Sequence, residues 1–126
     1  MSLENAKLMA FAATKDAAAA KKFYEDVLGL KLLADEQFAV VFDAGGTMLR
    51  VSKVGDFTPH TFTVLGWQVA DIRAEIKKLT GLGVVFQQFN LDFIPQDELG
   101  IWKAGDKTCV AWFKDPDGNM LSLTQF

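Results

Sequence analysis

The chain holds one cysteine, Cys109, and one histidine, His60, among its 126 residues. A single thiol excludes an intrachain disulfide, and one thiol with one imidazole cannot assemble a structural zinc cluster of the Cys/His type. Long apolar runs are absent too: none approaches the roughly 18 residues of a membrane-spanning helix, although half of the residues are hydrophobic. Positive charge is in the minority, with thirteen Lys and Arg against sixteen Asp and Glu for a net charge of −3. The basic residues are scattered rather than gathered into a stripe, which argues against nucleic acid as a partner. The segment Met1 to Lys7 lacks the basic-then-apolar order of a secretory signal, so a cytoplasmic location is expected. The length suits one domain spanning residues 1–126.

What is present is an internal repeat. Lys7 to Thr14 reads as a strand, Asp16 stands at an N-cap position, and Ala20, Phe23, Tyr24, Val27 and Leu28 recur at helical spacing before Gly29. Three β-like stretches follow, Leu30 to Leu33, Phe38 to Asp43 and Met48 to Val54, with Gly45-Gly46 as the last turn. The plan then recurs: strand Phe62 to Val69, cap Asp71, a helix face at Ile72, Ile76 and Leu79, and Gly83. Asp16 and Asp71 stand 55 positions apart. Strands are expected at Val84 to Phe89, Ile101 to Ala104, Thr108 to Phe113 and Met120 to Phe126, one more than the plan requires. The reading is an α+β fold of two βαβββ modules, about 6–56 and 61–126. The irregular stretch Asn90 to Gly100 is long enough to be a lid.

Two segments carry a family likeness: Lys22-Phe23-Tyr24-Glu25-Asp26-Val27-Leu28-Gly29-Leu30, and Trp112-Phe113-Lys114-Asp115-Pro116-Asp117-Gly118-Asn119 before the closing strand. Together with Val69-Ala70-Asp71-Ile72 they resemble the glyoxalase, bleomycin-resistance and extradiol-dioxygenase superfamily, called vicinal oxygen chelate. The resemblance implies paired modules whose sheets curl around a central cavity, and a homodimer. In metal-binding members the ligands are His, Gln or Glu on the first and last strands of each module. The matching positions here are Met9, Arg50, Leu65 and Ser122, which are thioether, cation, hydrocarbon and neutral hydroxyl. The resemblance with those residues implies no metal and no cofactor.

Strand alternation puts Met48, Arg50, Ser52, Ser122 and Thr124 toward the cavity and Leu49, Val51, Leu121 and Leu123 toward the helices. With Met9, Phe11, Ala13, Phe42, Leu65, Trp67 and Trp112, they form an inner wall suited to a small organic molecule, aromatic or anionic, or simply a filled core. Arg50 offers either a bidentate contact to a ligand acid or an internal salt bridge. His60 reads as a linker residue unless it reaches the cavity as a general base, and Cys109 as a buried thiol. Asp92, Asp97 and Glu98 give the long loop an acidic character suited to a cationic ligand, or simply to solvent. No residue is assigned a catalytic role. The leading expectation is metal-independent binding or sequestration of a small, partly aromatic molecule; the alternatives are a glyoxalase-type lyase or dioxygenase with an atypical metal site, and a structural dimer with a filled cavity.

Overall fold

The computed structural model describes residues 2–126. They divide into two compact units that meet between Thr58 and Pro59. Each unit has one four-stranded mixed sheet, and neither sheet is a closed barrel.

In the first unit β1 (Met9–Thr14) leads into α1 (Ala17–Lys22), whose N-terminus is closed by Asp16: the carboxylate Oδ1 accepts the Ala19 N–H at 3.1 Å. The last turns, Phe23–Val27, widen to π-helical spacing. They end at Gly29, whose φ of 73° lets the Leu30 N–H reach back to the Tyr24 carbonyl. Strands β2 (Lys31–Asp35), β3 (Ala39–Ala44) and β4 (Thr47–Lys53) complete the sheet in the order β1-β4-β3-β2, with β1 parallel to β4. Tyr24 on the π-helical turn is fully buried against Phe42 of β3, ring centroids 5.7 Å apart. This contact defines the helix-covered face, which also carries Val40, Leu49 and Val51, all buried.

The second unit repeats the opening. β5 (Thr63–Gln68) precedes α2 (Ile72–Gly81), and Asp71 caps it as Asp16 caps α1: φ is −138° against −137°, and the bond to the Ala74 N–H is again 3.1 Å. Ile72, Ile76 and Leu79 bury the inner side of α2. The Ile72 N–H donates to the Gln125 side-chain oxygen at 2.8 Å, fixing α2 over the face that carries Leu121 and Leu123. Strands β6 (Trp102–Lys103), β7 (Cys109–Lys114) and β8 (Met120–Gln125) give the order β5-β8-β7-β6. The Asp115 carboxylate ties the turn before β8 by accepting the Asp117 and Asn119 N–H groups at 2.9 Å.

The expected strand at Val84 to Phe89 does not form. Only Phe86 bridges to Phe113, and the Gln87 N–H donates to the Trp112 carbonyl, so this stretch is an irregular edge lying along β7. The surplus strand is thereby removed.

Candidate functional site

Register decides which side chains share a face. In the first sheet Met9 pairs with Met48, Phe11 with Arg50 and Ala13 with Ser52, and all stand on the face away from the helix. Three of them are open to solvent: Phe11 at 56% relative exposure, Met9 at 42% and Met48 at 38%. A face that was only filled core would bury them. Arg50 sits among them and is already paired, its Nη2 donating to Glu36 Oε1 at 2.9 Å. Of the two roles expected for Arg50, the structure has the internal salt bridge.

Phe42 does not belong to this face. It pairs with Leu49, not with Arg50, and lies fully buried against Tyr24, so its placement on the inner wall is corrected. The lysine after Arg50 on the same strand follows the same parity: Lys53 lies with Leu49 and Val51 and binds Asp35 Oδ1 at 2.6 Å. That hydrogen bond, opposed by partial desolvation and helped by the charges of Lys53 and Lys21, holds the Asp35 carboxyl below its ordinary range.

In the second sheet a bulge between Thr63 and Leu65 shifts β5 by one residue. Past the bulge, Gly66 pairs with Ser122, while Leu65 pairs with Leu121 and Trp67 with Leu123. Leu65 and Trp67 therefore face α2, opposite to Ser122, which corrects both placements. The pairing of Gly66 with Ser122 is tight: a Cβ added to Gly66 would stand 2.8 Å from Ser122 Oγ.

Trp112 pairs with Ser122 on the face away from α2, and its indole Nε1 reaches across β8 to donate to Thr63 Oγ1 on β5 at 3.0 Å. The bulge is what turns Thr63 toward this face. Ser122, at 6% exposure, is buried in the row that the indole crosses. Trp112 is flanked by Trp102, stacked at 6.0 Å between centroids, and by Phe89, edge-on at 5.3 Å. Sequence reading missed Phe89 and Trp102 as members of this row; the signal available was Trp102 two residues into a hairpin that returns through Trp112.

The long loop is tied down. Gln96 accepts the Phe89 N–H and donates to the Gln87 and Gly100 carbonyls; Asp97 Oδ1 accepts the Leu99 and Ile101 N–H groups at 2.9 Å. Asp97 Oδ2 also takes Arg73 Nη2 of α2 at 2.9 Å. Asp97 is thus the loop's internal anchor, while Asp92 and Glu98 are exposed. His60 is exposed and stacked on Phe62 at 4.7 Å, and Cys109 is half-buried on β7, paired with Gln125.

The donor chemistry does not fit a divalent metal. Register sets Phe11 beside Arg50 and Gly66 beside Ser122, and the positions counted from the caps, Met9 and Leu65, are no better. Among the described residues, no three His, Cys, Asp or Glu side chains gather into a group that could hold a metal ion. No helix among them is long and apolar enough to cross a membrane.

The likeness to known structures extends over nearly the whole chain. The fosfomycin resistance protein FosX from Listeria monocytogenes matches with a TM-score of 0.73 at 12% identity, over 94% of this chain and 91% of that one. A glyoxalase/bleomycin resistance protein/dioxygenase from Alicyclobacillus acidocaldarius gives 0.68 at 18% identity, over 97% and 92%. Lactoylglutathione lyase from Agrobacterium tumefaciens gives 0.68 at 16%, over 97% and 95%. At these identities the likeness is one of fold. A search of curated proteins returns no match. The family model described as Glyoxalase/Bleomycin resistance protein/Dioxygenase superfamily matches residues 8–123, and the chain belongs to that superfamily.

Proposed function

We propose that this protein binds a small, partly aromatic organic molecule and holds it without a catalytic metal. The observation that carries the reading is the character of the helix-free faces. One exposes Met9, Phe11 and Met48 around a neutralised Arg50; the other carries the ring row Phe89, Trp112 and Trp102 above Ser122. Flat apolar side chains with few polar groups suit a planar ligand and offer no group placed to make or break a bond. The resistance protein and the lyase among the structural neighbours use the same fold, and sequestration is the reading that asks least of these side chains. Self-association into a homodimer belongs to this proposal, since an exposed phenylalanine among exposed methionines is the kind of surface that a second copy covers.

The test is calorimetric titration of the protein with a panel of aromatic compounds and antibiotics, with and without EDTA, beside fluorescence of Trp102 and Trp112 in a Trp67→Phe background to report the second face. Saturable binding that EDTA leaves unchanged is expected. No saturable binder in the panel, or binding lost in EDTA and restored by zinc, overturns the proposal.

A further inference from the structure

At the turn end of the first sheet a recess of about 340 Å³ crosses all four strands, lined by Leu33 of β2, Asp43 of β3, Met48 of β4 and Met9 of β1, with Lys7, Leu8 and Gly46 at its edge. Its size falls in the range of small-ligand sites, and its floor of two thioethers and a leucine is adaptable and apolar. The register explains its construction: Met9, Met48 and Asp43 are direct neighbours across three strands. The next row toward the sheet centre is Phe11, Arg50 and Val41.

Two opposite charges stand at this apolar floor without each other. Asp43 Oδ1 accepts the Gly46 N–H at 2.7 Å, which fixes the carboxylate at the rim. Among the described residues neither Asp43 nor Lys7 has an ion-pair partner. Of the other charges on this sheet, Arg50 is matched by Glu36 and Lys53 by Asp35, while Lys31 of β2 stands across from Asp43 in the register without an ion pair to it. A cation and an anion left beside one apolar recess complement a ligand bearing both charges next to an apolar body.

We infer that this recess takes the zwitterionic head of an α-amino-acid-type ligand, its ammonium toward Asp43 and its carboxylate toward Lys7, with the apolar body running over Met9 and Met48 toward Phe11. This rests on the reading that the first sheet's helix-free face receives a small, partly aromatic molecule, and it names the chemical class of that molecule. The charges are solvated, so each contact contributes modestly, on the order of a threefold to fivefold change in affinity.

Calorimetry with L-phenylalanine, phenethylamine and 3-phenylpropionate as probes tests the inference on the full chain. L-Phenylalanine is expected to bind saturably, and each singly charged analogue roughly threefold to fivefold more weakly. Lys7→Gln is expected to erase the advantage over phenethylamine, and Asp43→Asn, which keeps an oxygen for the Gly46 N–H, the advantage over 3-phenylpropionate. Equal binding of all three probes, or variants that leave the preference intact, overturns the amino-acid assignment. If the zwitterion does not bind but another aromatic compound does, the assignment fails and the broader proposal stands. If nothing binds, both fail.

Discussion

Replacing Gly66 with alanine probes the one-residue shift in β5. The φ of Gly66 is not in the left-handed region, so alanine is compatible with the backbone, and on chain-entropy grounds alone it would stabilise by about 0.4–1 kcal/mol. The added methyl, however, would meet Ser122 Oγ at 2.8 Å, closer than a Cβ tolerates, while the next atom is the Ser122 carbonyl oxygen at 3.8 Å. Ser122 is buried in the row crossed by the Trp112 indole, so its hydroxyl has little room to turn aside. Overpacking of this kind costs about 1–3 kcal/mol. The net expectation for Gly66→Ala is a loss of about 1 kcal/mol. In a Ser122→Ala background the obstructing oxygen is gone, and the same substitution should become neutral or stabilising. Urea unfolding of the four proteins in the cycle, followed by tryptophan fluorescence, measures this reversal. An identical effect of Gly66→Ala in both backgrounds would refute the pairing and restore Leu65 to the face of Ser122.

The two helix caps are geometric twins, so Asp16→Ala and Asp71→Ala should each cost about 1 kcal/mol in urea unfolding, and a cost confined to one would contradict the equivalence of the repeats. Asp97→Ala removes the acceptor of two loop N–H groups and the partner of Arg73, and should cost about 2 kcal/mol while raising hydrogen exchange at Leu99 and Ile101; unchanged exchange there would show that the loop is held otherwise. Because Lys53 lowers the folded-state pKa of Asp35, the contribution of this pair is present above the carboxyl's unfolded pKa and is lost as pH falls through the folded one. Lys53→Met should raise the Asp35 pKa in an NMR titration, and an unmoved value would assign the depression to another cause.

Much of this architecture was legible because it is written in local chemistry. A capping aspartate followed by helical spacing, and a glycine where the helix must end, recur at one interval, and the structure has both caps in the same geometry. The parity of β4 and β8 was readable from alternation: Leu49, Val51, Leu121 and Leu123 are all buried on the helix faces. Phe42 was readable too, had the hairpin been counted. Ala44 pairs with Thr47 around Gly45-Gly46, so Phe42 must oppose Leu49 and share its face.

Leu65 and Trp67 were harder, because one inserted residue reverses a strand's faces and a bulge has only a weak signature in sequence. Gly66 inside a strand was that signature. The stretch from Val84 to Phe89 has strand-like composition, yet Val85 is 73% exposed and only Phe86 bridges to β7, so tertiary placement overrides local preference. The loop anchors Gln96 and Asp97 act through backbone groups brought together by folding, which residue identity alone does not reveal. Lys7 and Asp43 lie far apart in the chain and come to the edge of one recess only through the order β1-β4-β3-β2.

The proposed metal-independent reading turns on Met9, Arg50, Leu65 and Ser122, whose thioether, cation, hydrocarbon and neutral hydroxyl suit a divalent metal poorly. Elemental analysis of protein purified without chelators, read against protein concentration, tests this most directly. The account predicts zinc, nickel, manganese and iron far below one equivalent, even after incubation with each ion and desalting. One equivalent of any of them, retained through desalting, would contradict it.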